Sequence, residues 1–96
     1  MKNLPADIEA KLLEDFGEQA KAAMERISEY LNSQQREPVR TARCAIHLAH
    51  GSLEKLERML DEAMRDWRNV ILWAEYDKGI EPPQRDFQVP FREGPA

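Results

Sequence analysis

Apolar residues recur three or four positions apart along most of this chain, the spacing of helices that each bury one face. In the first segment the stripe is Ile8, Leu12, Phe16, Ala20, Ala23, Met24, Ile27 and Leu31. It predicts helix from about Pro5 to Ser33, with Pro5 suited to a first turn because its missing N–H has no partner there anyway. Gly17 interrupts the segment, opposite the centre of the stripe. A helix running through it would lose about 1 kcal/mol relative to alanine and reach ~43 Å. A compact chain of this length has a radius of gyration of only about 12–13 Å, so a kink or break near Gly17 is the better expectation.

The polar stretch "NSQQREP" then separates a second helix, opened by Pro38, whose stripe is Val39, Ala42, Ala45, Ile46 and Ala49. Mostly small residues let a neighbouring helix come close. Gly51 is placed to cap its C-terminus in the left-handed conformation, and Ser52 to cap the N-terminus of the next helix. There Leu53, Leu56, Leu60, Ala63, Trp67, Val70 and Ala74 alternate in steps of three and four, a heptad stripe. Two readings stay open. One is a single long helix; the other, better suited to a compact monomer, breaks at "MRDWRN" with Asp66 capping a fourth helix.

Within that segment "DWRNVILWAEYD" holds five apolar residues in a row, Val70 to Ala74. One neighbour cannot cover them all. On a helix they divide into a face of Trp67, Val70, Ile71 and Ala74, which continues the stripe, and a nearly opposite face of Leu72, Trp73 and Tyr76. Arg68 and Glu75 fall between, placed to pair with each other. From Gly79 onward four prolines in eighteen residues exclude helix through most of the stretch, and Phe87, Val89 and Phe91 alternate as in an extended segment. The expected fold is therefore all-α: one helical domain over 1–96, a small bundle or orthogonal array of three to five helices. Residues 79–96 form an extended Pro-rich C-terminal arm that packs on the helices or on a partner.

Composition narrows the class. A chain of 96 residues with 33% charged and 42% apolar residues has the make-up of one soluble globular unit. A lone cysteine, Cys44, excludes an internal disulfide and fits a reducing compartment. No run approaches the ~18 apolar residues of a membrane span, and no signal-peptide pattern opens the chain; the expectation is a cytoplasmic protein with no membrane partner. The net charge of −4 is uneven: residues 36–50 carry three arginines and one glutamate, while the segments on either side are net acidic. Overall acidity disfavours nucleic acid as a partner, leaving only that basic segment to argue for it.

The sharpest polar feature lies there. Arg40, Arg43, His47 and His50 share about 80° of arc beside the apolar stripe, and clustered guanidinium groups bind phosphate or carboxylate through a bidentate fork. They are the anion-binding candidates. The competing reading is a solvated flank whose arginines pair with the acidic first or third helix. Cys44, His47 and His50 make a Cys-x-x-His-x-x-His pattern, but Cys44 and His50 sit about 120° apart around the axis and ~9 Å apart along it, too far to grip one ion; no metal site and no cofactor are assigned. A Cys44–His47 dyad is geometrically allowed, yet no Gly-rich phosphate loop, nucleophile elbow or di-iron signature accompanies it, and no catalytic residue is assigned.

Two stretches carry a resemblance. Leu48, Ala49, Gly51, Leu53, Lys55 and Leu56, followed by Asp66, Trp67, Arg68 and Val70 and then Ala74, Glu75 and Tyr76, resemble a pattern shared by a group of small bacterial helical proteins. Asn69 departs from it where an aspartate is usual. The resemblance spans about residues 45–77 and implies a helical fold and a bacterial source; it brings no activity with it.

The expectation for function is a non-catalytic interaction or regulatory protein, acting as a homodimer or on another protein. Its interface candidates are Leu72, Trp73, Tyr76, Phe87 and Phe91. The alternative is anion or nucleic-acid binding by the Arg/His stripe.

Overall fold

The computed structural model describes residues 4–33, 37–76, 87–88 and 91. Helix α1 runs Ala6–Phe16, a 3-10 turn covers Gly17–Gln19, α2 runs Ala20–Leu31, α3 runs Pro38–Ala49 and α4 runs Leu53–Glu75. The architecture is all-α, and no strand occurs among the described residues. The Pro-rich arm lies outside them except for Phe87, Gln88 and Phe91.

Both breaks occur, each for a local reason. Gly17 takes φ 51° and ψ −117°, a conformation that a Cβ disfavours. No atom would crowd a Cβ there, so backbone conformation alone calls for glycine. The break folds α2 away from the line of α1, and the radius of gyration is 12.3 Å. In α4 the backbone leaves helical geometry at Asp66, with φ −155° and ψ 94°. The Asp66 carboxylate accepts the Arg68 N–H at 3.2 Å, the bond of an N-cap residue to the second residue of a new helical run. Asn69 donates to Glu62 across the kink at 2.9 Å.

The turn between α3 and α4 is tighter than capping alone requires. His50 and Gly51 are both left-handed, with φ 50° and 80°. A Cβ on Gly51 would lie 2.7 Å from the Asp15 carbonyl oxygen. The glycine thus serves conformation and a close approach to the last turn of α1 together. Ser52 then caps α4, its hydroxyl accepting the Lys55 N–H at 3.3 Å.

The stripes meet as their spacing implies. Ile8, Leu12, Phe16, Ala20, Ala23 and Ile27 from α1 and α2 pack with Ala42, Ala45, Ile46 and Ala49 of α3 and Leu56, Leu60, Ala63, Val70, Ile71 and Ala74 of α4. Met24, Leu31, Val39, Leu53 and Trp67 are only partly buried at its edge. Helix α3 is more deeply placed than its stripe implies: Thr41 through Ile46 are six consecutive buried residues. Being lined with small side chains, it sits at the centre of the array, so its polar positions are enclosed along with its apolar ones.

No helix among the described residues is long and apolar enough to cross a membrane.

Candidate functional site

The central position of α3 turns Arg40 and Arg43 inward. Arg43 Nε and Nη2 donate to Asp7 Oδ2 and Oδ1 of α1 at 2.9 and 3.2 Å, a fork on a carboxylate. Both partners are nearly enclosed, at 8% and 10% side-chain exposure. Arg40 makes a second fork: Nε and Nη2 donate to Glu75 Oε2 and Oε1 of α4 at 2.9 and 2.6 Å. Glu75 is 2% exposed, a location that a carboxylate tolerates only when charge and hydrogen bonds replace its water.

The same two carboxylates hold the C-terminal segment. Glu75 Oε2 accepts the Phe87 N–H at 3.1 Å, and Asp7 Oδ2 accepts the Phe91 N–H at 3.1 Å. The remaining arm of the Arg43 guanidinium, Nη1, donates to the carbonyls of Phe87 and Gln88 at 3.2 and 3.4 Å. A main-chain clamp results, with two anionic acceptors for N–H groups and one cationic donor for carbonyls, drawn from three helices. Around it the Phe87 ring is buried with its centroid 5.2 Å from that of His47 and 5.8 Å from that of Phe91. Lys11 lies 5.8 Å over the Phe91 ring.

The electrostatics follow the geometry. Burial by itself would raise the Asp7 pKa, but the Arg43 fork and the Phe91 N–H outweigh it and hold the carboxyl below its ordinary value of 3.8. Cys44 is fully buried, its sulfur 3.8 Å from Glu75 Oε2. Burial, then the Glu75 charge, push its thiol well above the ordinary range. A nucleophile needs the thiolate, so this environment works against a Cys44–His47 dyad. Nearby, the Tyr30 and Thr41 hydroxyls are buried close to each other; burial raises the Tyr30 pKa above 10.0.

The candidate anion stripe is thus dispersed. Arg40 and Arg43 spend their forks on Glu75 and Asp7. They do pair with the first and last helices, as one sequence reading holds, but in the interior and not on a solvated flank. His47 stacks near Phe87, and His50 lies beyond the end of α3 as its left-handed C-cap, exposed. The cleft over the two arginines also contains Glu37. The Glu37 carboxylate lies 3.9 Å from Arg40 Nη1. Among the described residues no three His, Cys, Asp or Glu side chains gather to hold a metal.

The interface candidates also part company. Leu72 and Trp73 are exposed at 42% and 44% and Tyr76 is partly buried. Phe87 and Phe91 sit instead at the clamp, Phe87 beside His47 of α3 and Phe91 beside Lys11 of α1. The expected pairing of Arg68 with Glu75 does not form: Arg68 turns back to Asp66 at 3.0 Å, because the kink brings that carboxylate closer. Sequence reasoning missed Asp7 and Glu75 as site residues. A signal for Glu75 was present, since it follows Ile71 by four positions and so falls about 40° from it on a helix, at the margin of the buried face. Nothing comparable marked Asp7.

No family model, no curated protein and no solved structure matches the chain. The resemblance across residues 45–77 therefore rests on its sequence pattern alone.

Proposed function

We propose that this is a non-catalytic interaction protein that works as a homodimer, with Leu72, Trp73 and Tyr76 on the last turns of α4 as its contact face. The observation that carries the reading is the side-by-side exposure of Leu72 and Trp73 on a helix whose opposite face is already buried. Tryptophan and tyrosine are the residues most enriched where proteins meet.

A second copy fits this face for an electrostatic reason. The charges leading up to it are already paired, Arg68 with Asp66 and Arg65 with Glu62. The patch is nearly neutral, and a two-fold contact, which sets identical surfaces against each other, brings no like charges together. The C-terminal arm belongs to the same reading, packing on the helices of its own chain or of the partner.

Light scattering across a range of concentrations tests the proposal. The native chain is expected to approach twice its 11.2 kDa mass as concentration rises, and Trp73→Glu to stay monomeric with unchanged helicity. A native chain that remains monomeric at every concentration would overturn the homodimer.

A further inference from the structure

We infer that the C-terminal segment is a strap that orders the last turn of α4, and that its seating controls the contact face formed by Leu72 and Trp73. This control rests on the homodimer reading and adds to it what regulates that face.

The end of α4 has little helical order of its own. The helix starts afresh at Asp66, where φ is −155° and ψ 94°, so the run that carries the face is residues 67–75. Helices shorter than about 12–15 residues are marginal without tertiary packing. Val70 and Ile71 are buried and hold the earlier part of the run. In its last turn, residues 72–75, the buried positions are Ala74 and Glu75. An alanine methyl removes little area from water, which leaves the Glu75 carboxylate as the chief tie of that turn.

The C-terminal segment completes that tie. Glu75 Oε2 accepts the Phe87 N–H, and the following bonds run outward to two other helices. Arg43 of α3 donates to the Phe87 and Gln88 carbonyls, and Asp7 in the first turn of α1 accepts the Phe91 N–H. The Phe87 ring is itself part of the core, 8% exposed. One short segment thus joins the last residue of α4 to α3 and α1. Leu72 and Trp73 precede Glu75 by three and two positions, so an ordered last turn fixes where their side chains stand. A two-fold contact sets two such faces against each other, and every group that must be immobilised on association weakens it. A strapped turn is ordered before the copies meet; an unstrapped one must be ordered as they meet.

The test removes the rings of the strap, Phe87→Ala with Phe91→Ala, in the full-length chain. The forks of Arg40 on Glu75 and of Arg43 on Asp7 involve neither ring, so neither buried carboxylate loses its counter-charge. Amide hydrogen exchange, followed residue by residue, reads local opening. It is expected to quicken at residues 70–76 and to stay at the native rate at Ile8, Leu12 and Ile27. By light scattering the dimer dissociation constant is expected to rise about tenfold. Exchange that is unchanged at residues 70–76, or that quickens equally in every helix, overturns the strap. Faster exchange there with an unchanged dimer overturns its control of the face. A native chain that never dimerises overturns the homodimer and with it that control, while the exchange rates still decide the strap. If the double variant does not fold, Phe91→Ala alone, whose ring is only partly buried, gives the same readouts with a smaller change.

Discussion

Arg43 meets Asp7 at 2.9 Å between α3 and α1, and Arg26 meets Glu57 at 3.0 Å between α2 and α4. The two bonds join helices distant in sequence and are nearly equal in length, but their surroundings differ. The first pair is almost enclosed, and its carboxylate also takes a main-chain N–H from the C-terminal segment. The second is 45% and 40% exposed, and Arg26 divides itself between Glu57 and Glu29. In water the attraction of a pair is screened and the two long side chains give up freedom to hold it. In the interior neither partner can return to water, so each depends on the other. Bond length says little about which pair the fold relies on; enclosure says much more.

The largest effect should come from breaking the enclosed pair on one side only. Arg43→Ala leaves Asp7 buried without its counter-charge and strips the Phe87 and Gln88 carbonyls of their donor. Loss of one partner from a buried pair costs roughly 3–5 kcal/mol, which urea titration followed by tryptophan fluorescence would register. Replacing both partners by apolar groups, Arg43→Met with Asp7→Leu, is expected to cost less than Arg43→Ala alone. If the double variant is the less stable one, the cost does not arise from an orphaned charge.

A smaller effect follows from acid. The Asp7 carboxyl titrates below its ordinary value of 3.8 in the folded chain, so the unfolded chain binds the proton more readily. The stability Asp7 contributes is then fully present above 3.8 and is lost as pH falls through the lower folded value. In Arg43→Ala the burial that raises the Asp7 pKa is no longer outweighed, and this acid-dependent part should vanish or change sign. Urea midpoints of the two chains, followed from neutral pH to below 3.8, would show the difference, and parallel curves would contradict it.

Arg26→Ala is expected to have the smallest effect, leaving the urea midpoint indistinguishable from that of the native chain. A loss comparable to that of Arg43→Ala would mean that the surface network of Arg26, Glu29 and Glu57 locks α2 to α4, and the contrast drawn above would fail.

The helices themselves were legible along the chain. Ile8, Leu12 and Phe16, or Leu56, Leu60 and Ala63, are buried because a period near 3.6 puts them on one side of a helix. The ends were legible too, at Gly17, Gly51, Ser52 and Asp66, since each depends on conformational freedom or on a side chain within two or three residues. The candidate site was not. Arg40 and Arg43 look like a surface stripe on an isolated helix, and Glu75 looks like a partner for Arg68. Their real partners lie 35 or 36 positions away and become reachable only once α3 is at the centre of the array.

The sequence by itself determined the local matters: which segments are helical, where they stop, and which face of each is apolar. Those follow from periodicity, capping and backbone freedom, all short-range. The tertiary structure decided which polar residues are enclosed and with whom they pair. That depends on which helix is enclosed, and α3 is enclosed because Ala42, Ala45 and Ala49 let one face pack closely on its neighbours while Asp7 of α1 and the C-terminal segment cover Arg43. Two arginines that local spacing offers to solvent thereby become partners of Glu75 and Asp7, and Arg43 also ties the C-terminal segment to the helices.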